Sequence, residues 1–278
     1  MNAALVTDST CDIPYDLARE LNIHIVPNIL VIDGQTIPDD ENFSRQDFYT
    51  RLPGMNLIPS TSTASSGAYT MVYEKLLRVG FDQVLSIHCS RFLSGIYNAA
   101  SLAAQAYKGR VRVIDSQQVS LGLGFQVLEA VDAFAGGAKM EAVISLLERL
   151  RRRVRLVAML DTLEYVRRSG RVSWARASLG SLLNLRPFVE VKDGVVLRLG
   201  EARTRKKGIA RLLAMMQNLG PLKRFAVLHS NAESEARYLL ECLSPSLPSE
   251  PLVVNVTTII GAHVGPNGLG FVAVRGRD

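Results

Sequence analysis

Apolar residues in the first half of the chain fall into short runs that end in polar residues. These runs have the length and composition of buried strands, and they occupy residues 4–6, 24–32, 84–87 and 111–114. Helix signals lie between them, since Pro14 suits a first helical turn and Ser44 and Ser65 or Ser66 can cap later helices. Strands that alternate with helices of about 12 residues predict right-handed βαβ units and a mainly parallel sheet.

The pattern changes in the second half. An Asp193-Gly194 pair between the apolar runs 188–191 and 195–197 predicts a β-hairpin, and Gly170 after the helical run 163–168 predicts a helix end. The other predicted elements are helices at 141–153, 208–219 and 233–243 and strands at 156–160, 224–228, 252–256 and 271–274. This order is typical of an α+β unit with a mixed or antiparallel sheet.

Two α/β domains are therefore predicted. A length of 278 residues is enough for both. The N-terminal domain, with the mainly parallel sheet, is assigned to residues 1–152, and the C-terminal domain to residues 153–278, because the change in pattern falls within residues 137–155.

Composition excludes several classes of protein. Apolar residues make up 47% and charged residues 21% of the chain, which is typical of a globular protein. Three cysteines lie far apart, so neither a zinc site nor a disulfide framework is expected, and a reducing, cytoplasmic environment fits. The first ten residues do not resemble a signal peptide. The most apolar stretch, residues 119–136, contains Gln126, Glu129 and Asp132 and predicts a buried helix, not a transmembrane segment.

Familiar catalytic and cofactor motifs are absent from the sequence. It contains no phosphate-binding P-loop, dinucleotide fingerprint, HExxH zinc motif or GxSxG nucleophile motif. Gly122 and Gly124 lie inside a helical pattern, where close backbone packing explains them better than nucleotide binding. We therefore expect no cofactor and no metal.

Three polar segments stand out because each follows a strand or opens a helix. Residues 59–67 hold a cluster of Ser and Thr, residues 90–95 precede a helix, and residues 261–270 place His263 in a glycine-rich loop. Ser94 is most simply a helix N-cap, although the free N–H groups of a helix start also bind anions. A lone histidine is more often structural than functional, but glycines on both sides let a backbone approach a ligand.

Together these segments resemble the DegV family over nearly the whole chain. No single motif decides the resemblance; the ordered set does. The matching motifs are TDSTCDIP (7–14), TS (61–62) with Ser65, LSGxYNA (93–99), VIDS (113–116), LEYVxxxGRV (163–172), LLNxxP (182–187), KK (206–207) and IGxHxGP (260–266). Two positions depart from the pattern: Thr63-Ala64 stands where the family often has Gln-Pro, and Ser169 where it often has Gly.

The resemblance implies a protein that encloses one long-chain fatty acid between its two domains. It implies that the hydroxyls of Thr61 and Ser94 bind the carboxylate, with Gly95 and His263 beside it. It further implies a lipid-binding subunit without catalysis of its own. Such a subunit presents the acid to a separate ATP-dependent fatty acid kinase subunit, and the acyl phosphate formed there feeds phospholipid synthesis.

Elementary energetics agrees with that function. An ionised carboxylate taken out of water needs several hydrogen-bond donors, which hydroxyls and helix N–H groups supply. Burying about 14 methylenes at roughly 0.8 kcal/mol each gives about 11 kcal/mol before the association cost of about 4–15 kcal/mol. The apolar residues considered for the tail are Ile29, Leu30, Leu123, Phe125, Leu128, Leu160, Leu179 and Leu183.

A net charge of +6 leaves surplus basic residues in the C-terminal half. Because one carboxylate needs only a few donors, which Thr61 and Ser94 already supply, Arg171 and Arg203 are predicted to contact the kinase subunit implied by the resemblance and not the fatty acid. Nucleic-acid binding is disfavoured because no helix-turn-helix, RRM or KH motif is found and only one Trp occurs.

Two other functions stay open at this point. One is a hydrolase with Ser94 or Thr61 as nucleophile, His263 as base and Asp115 as orienting acid. The other is a phosphotransferase subunit for a small sugar-like substrate.

Overall fold

Three β-sheets organise the computed structural model, which describes residues 2–57, 59–172, 174–175, 185–243, 247–248 and 250–276. The strands are β1 (Ala3–Asp8), β2 (Ile23–Val26), β3 (Ile29–Ile32), β4 (Gln35–Pro38), β5 (Ser60–Ser62), β6 (Gln83–His88), β7 (Val111–Asp115), β8 (Val154–Met159), β9 (Arg186–Lys192), β10 (Val195–Ala202), β11 (Leu222–His229), β12 (Leu252–Asn255) and β13 (Leu269–Arg275). The helices are α1 (Tyr15–Glu20), α2 (Arg45–Arg51), α3 (Ser66–Arg78), α4 (Ile96–Ala104), α5 (Leu121–Ala135), α6 (Met140–Arg151), α7 (Glu164–Ser169), α8 (Arg205–Gln217), α9 (Glu233–Glu241) and α10 (Thr258–Val264).

The first sheet is the predicted parallel one. It has four strands in the order β2-β1-β6-β7, and every neighbouring pair is parallel. Helices α3 and α4 pack against β6 and each other, and α5 packs against β1 and β6. Two of the expected caps are present, since the Ser44 and Ser65 hydroxyls accept hydrogen bonds from the first turns of α2 and α3.

The single strand expected over residues 24–32 is wrong. The chain forms β2 and β3 there, and these lie in different sheets. Pro27 separates them and has no N–H to donate to a sheet. Strand β3 enters a three-stranded antiparallel sheet, β4-β3-β5, whose outer strands are short and polar and therefore gave no strand signal in the sequence.

The second half forms the predicted mixed sheet. Its six strands run in the order β10-β9-β8-β13-β11-β12, where β11 and β12 are parallel and the other pairs antiparallel. The predicted hairpin joins β9 to β10. Its turn residues Asp193 and Gly194 have φ of 51° and 84°, and positive φ at both positions is what a two-residue turn of this kind requires.

Helix α5 is the buried helix that the apolar stretch predicts, with every residue from Leu121 to Ala130 buried. Its glycines serve packing, as expected, because a Cβ added to Gly124 would lie 2.5 Å from the carbonyl oxygen of Cys11. Glu129, also buried in α5, pairs with Lys223 and Arg224 of β11. This ion pair joins the two halves of the chain.

A second polar junction joins the halves at the turn between β12 and α10. The backbone N–H of Thr257 donates to Asp12 Oδ1 (2.7 Å), and the Thr258 hydroxyl donates to Asp39 Oδ1 (2.6 Å). Tyr49 donates to the carbonyl oxygen of Val256 (3.1 Å). The largest core cluster also contains residues of both halves. The division between residues 152 and 153 stays a prediction.

Replacing Gly124 by alanine tests the packing of α5. Alanine is the better helix former by about 1 kcal/mol, yet Gly124→Ala is expected to destabilise the fold by about 1–3 kcal/mol, because the backbone of Cys11 cannot move aside freely. Gly54→Ala is the control, since a Cβ there has no neighbour within 4 Å. Urea unfolding measures both, and equal stability of the two variants would contradict the packing argument.

Candidate functional site

The site lies at the carboxyl edge of the parallel sheet. The strand order β2-β1-β6-β7 reverses between β1 and β6, and ligands of open α/β sheets bind in the crevice outside such a point. The segments that follow these two strands carry Thr10 and the run from Cys89 to Gly95. Both segments line a cavity of about 220 Å³, to which β5, the mixed sheet, α7 and α10 also contribute.

Most of this cavity is apolar. Its walls include the buried side chains of Leu156, Val191, Leu228, Val256 and Ile259. Of the apolar candidates from the sequence, Leu160 lies on the cavity, while Leu179 and Leu183 fall outside the described residues. The other candidates are not among the lining residues, and several, such as Leu123 and Phe125, are plain core of α5.

The four predicted ligand-binding residues all line the cavity, and the part of its wall that they form is called here the polar end. Thr61 Oγ1 lies 2.8 Å from His263 Nε2. Ser94 and Gly95 lie on the same cavity. A Cβ added to Gly95 would lie 3.7 Å from the Thr63 methyl group, so the segment after β6 contacts the segment that carries Thr61. The structure thus brings together residues from three distant parts of the sequence.

Thr61 is positioned by the small antiparallel sheet. It lies in β5 opposite Leu30 of β3. Asn28, which precedes β3, donates from its side chain to Asp8 Oδ1 (3.3 Å), and its Oδ1 accepts from the backbone N–H of Ala64 (3.4 Å). Asn28 is buried and lines the cavity, yet the sequence analysis did not identify it. Its position directly after Pro27 was the sequence feature that could have identified Asn28 as a site residue.

Ser94 is not the helix cap that the sequence suggests. The N-cap of α4 is Gly95, and no side chain caps this helix. The Ser94 backbone N–H donates to the carbonyl oxygen of Ser90 (3.1 Å), while its hydroxyl has no hydrogen-bond partner in the described parts of the chain. Because the Ser94 hydroxyl lines the cavity and caps no helix, it is available to a ligand.

His263 belongs to the last turn of α10, and not to a loop as expected; the loop begins at Gly265. Burial, helped by the positive charge of Arg171, lowers the pKa of His263 to about 4. The imidazole is therefore neutral at pH 7 and carries one N–H. A neutral imidazole beside a hydroxyl forms a hydrogen-bonding group without a full buried charge.

Comparison with known proteins identifies the family of this chain. The sequence model described as DegV, an uncharacterised protein family, matches residues 2–276. The chain belongs to the DegV family. Protein DegV of Bacillus subtilis is 34% identical over 278 residues, covering 98% of both chains. A DegV domain-containing protein of Deinococcus radiodurans is 33% identical over 276 residues, covering 97% of both.

Solved DegV structures share the fold. A DegV family protein from Thermus thermophilus, described by its fatty acid binding, has a TM-score of 0.91 and 36% identity, covering 99% of this chain and 100% of that one. DegV from Bacillus subtilis, described as a fatty acid binding protein, has a TM-score of 0.87 and 32% identity, with coverage of 99% and 100%. The fold predicted from the sequence pattern, a parallel sheet followed by a mixed one, is confirmed.

The two predicted partner-binding arginines of this DegV chain differ in position. Arg171 is exposed and lines the cavity, close enough to His263 to lower its pKa. Arg203 is exposed and does not line the cavity. Contact with a partner stays a prediction for both.

The orienting acid of the hydrolase hypothesis lies elsewhere. Asp115 accepts from the backbone N–H of Gln117 (2.8 Å) and pairs with Arg91 (3.0 Å), and it makes no hydrogen bond to His263. A different hydroxyl–imidazole–carboxylate chain runs from Ser86 through His88 to Asp8, but all three are fully buried. These three hydrogen-bonded residues hold Thr10 and Asn28 in the cavity wall, since both donate to Asp8.

The described residues contain no group of three or more His, Cys, Asp and Glu residues placed to hold a metal ion. None of their helices is long and apolar enough to cross a membrane.

The protonation of His263 gives a direct test of the site. Its pKa near 4, lowered by burial and by Arg171, predicts that its ring signals in an NMR titration change near pH 4. Arg171→Gln removes the neighbouring charge and is expected to raise this pKa. Arg203→Gln is the matched control and should leave it unchanged. A midpoint near 6.5, the ordinary value for histidine, would contradict the buried position.

Proposed function

We propose that this protein binds one long-chain fatty acid in the cavity, with the carboxylate at the polar end and the tail along the apolar walls. The observation that carries the proposal is the composition of the cavity lining, which combines Thr61, Ser94 and His263 with many buried aliphatic side chains. A few polar groups in a mostly apolar cavity suit an amphiphile better than a sugar-like substrate.

The carboxylate is bound by neutral donors. The hydroxyls of Thr61 and Ser94 supply two, and the first N–H groups of α4, next to Gly95, have no partner within the helix. The neutral His263 donates from Nε2 to Thr61 Oγ1, so the threonine proton points to the carboxylate. His263 therefore orients Thr61. This arrangement stabilises an anion with no buried cation beside it.

The bound acid is presented to a separate ATP-dependent fatty acid kinase subunit, which forms the acyl phosphate used in phospholipid synthesis. Exposure supports this step, because Ser62, Gly95 and Arg171 are exposed at the polar end while the apolar walls are buried. An enzyme can reach the head group while the tail stays enclosed. In this proposal the chain works in the cytoplasm as a binding subunit, and its domains 1–152 and 153–278 enclose the ligand.

A hydrolase is the second candidate, favoured by the 2.8 Å contact between the Thr61 hydroxyl and the His263 imidazole. Intact and native mass spectrometry of the purified protein separates the two functions. A fatty acid of about 14 to 18 carbons lost on denaturation supports the binder. An acyl group that stays on Thr61 or Ser94 after denaturation supports the hydrolase, and a protein without any lipid that takes none up contradicts the proposal.

Ser94→Ala tests the head-group assignment. Loss of one donor to a charged group weakens fatty-acid affinity by about 1.5–3 kcal/mol, roughly 10- to 100-fold. The melting temperature should not change, because the hydroxyl caps no helix.

Ser65→Ala is the control for that variant. Ser65 caps α3 and does not line the cavity, so this change should lower stability by about 0.5–2 kcal/mol and leave affinity alone. Fluorescent fatty-acid titration and thermal unfolding of both variants give the result. Unchanged affinity in Ser94→Ala would remove Ser94 from the site.

Arg203→Glu tests the partner contact. It is expected to leave fatty-acid affinity unchanged and to reduce acyl-phosphate formation with the kinase subunit, most strongly at low salt, because rim charges steer association. Arg171→Glu should also reduce acyl-phosphate formation, but, in contrast to the expectation from the sequence, it should weaken fatty-acid binding as well, since Arg171 lines the cavity. Full acyl-phosphate formation by Arg203→Glu at low salt would contradict its role.

A further inference from the structure

We infer that a surface formed by the exposed Arg91, Phe92 and Val195 and the half-buried Tyr97, called here the Phe92 surface, docks the partner protein that acts on the bound head group. The inference rests on the proposed function and extends it to a specific partner site. The two residues predicted from the sequence, Arg171 and Arg203, do not belong to this surface.

One tight turn links the Phe92 surface to the cavity. The N–H groups of Leu93 and Ser94 both donate to the carbonyl oxygen of Ser90, at 3.0 and 3.1 Å. Leu93 and Ser94 line the cavity, while Phe92 is 61% exposed. An enzyme that transfers a group to the carboxylate at Ser94 must cover the protein surface around it. Phe92, two residues away, is the large exposed apolar side chain at that place.

The surface is held in place before any partner arrives. The Arg91 guanidinium lies 5.7 Å from the ring centres of both Phe92 and Tyr97. Its Nε pairs with Asp115, which is only 6% exposed, at 3.0 Å. An arginine fixed between two rings loses little side-chain freedom on binding, and aromatic residues and arginine are enriched at protein interfaces.

Both halves of the chain contribute to the surface. Ser90 Oγ donates to the carbonyl oxygen of Gly194 in the β9–β10 turn (2.7 Å). A Cβ added to Gly194 would lie 2.9 Å from the Phe92 ring, and the next residue, Val195, is 40% exposed. A partner that contacts Phe92 and Val195 together therefore contacts both walls of the cavity.

The charges indicate the chemistry of the partner. Arg91 lies near Arg151, and Lys192 is exposed at the end of β9 without an ion pair to any described residue; Asp193 is the exposed acid beside it. Since Arg91 is already paired with Asp115, the exposed ring and Lys192 point to a protein with an apolar pocket for Phe92 and a carboxylate for Lys192. One ring and one valine are too little apolar area for a bilayer, where amphipathic surfaces insert a whole face.

Phe92→Ser tests the surface, with Met71→Ser as matched control because Met71 is an equally large side chain, 73% exposed, on α3. Both variants should bind fatty acid within twofold of the unchanged protein. With purified kinase subunit and ATP, Phe92→Ser is expected to raise the KM for the loaded protein about tenfold or more with little change in kcat, as truncation of an interface anchor does. Met71→Ser should not. Val195→Asn provides a second variant on the other half of the chain, with the same expected direction.

Each outcome decides the inference. Equal KM values for Phe92→Ser and Met71→Ser, with acyl phosphate formed, overturn the Phe92 surface and leave the proposed function intact. No acyl phosphate from the loaded, unchanged protein overturns both. Dimers in analytical ultracentrifugation that Phe92→Ser abolishes would assign the surface to a second copy. Flotation with phosphatidylglycerol vesicles that Phe92→Ser abolishes, at unchanged KM, would assign it to a lipid surface.

Discussion

The hydrogen bond between Thr61 and His263 joins residues 202 positions apart, and the polar end of the cavity depends on it. Thr61 reaches its place because β5 pairs with β3. His263 reaches its place because side chains of the first half bind the turn before α10, where Asp12 and Asp39 accept hydrogen bonds from Thr257 and Thr258. Neither half alone provides the site, so a ligand can bind there only when the two halves of the chain are packed together.

The hydrogen bonds that hold α10 in place involve two buried carboxyl groups, those of Asp12 and Asp39. Burial raises the pKa of Asp12 to about 6 despite the nearby charge of Arg45 and hydrogen bonds from Ser120 and Thr257. Burial also raises the pKa of Asp39. Carboxyls with raised pKa values lower the stability of the fold above those values, and the destabilisation is relieved as the pH falls through them. The protein keeps these groups because apolar residues could not replace the hydrogen bonds they accept from the β12–α10 turn.

The sequence predicted the parallel and mixed sheets, the buried helix and the hairpin, because each of them follows from local periodicity or turn chemistry. It did not predict the β4-β3-β5 sheet, whose polar outer strands are fixed by pairing and not by hydrophobic pattern. The four ligand-binding candidates came from the family resemblance, and they do converge on one cavity. Asn28 and the cavity position of Arg171 were missed because both depend on contacts between distant segments.

In the proposed function, the head group is bound by hydroxyls and a neutral imidazole, while the positive charge of Arg171, which lines the cavity, remains exposed. The tail then provides most of the affinity, and the head group remains chemically accessible. A buried arginine against the carboxylate would bind more strongly but would also shield the oxygen that must attack a phosphoryl donor. An acyl phosphate carries more negative charge and more volume than the acid. An open polar end with an exposed arginine can accept both without moving the tail.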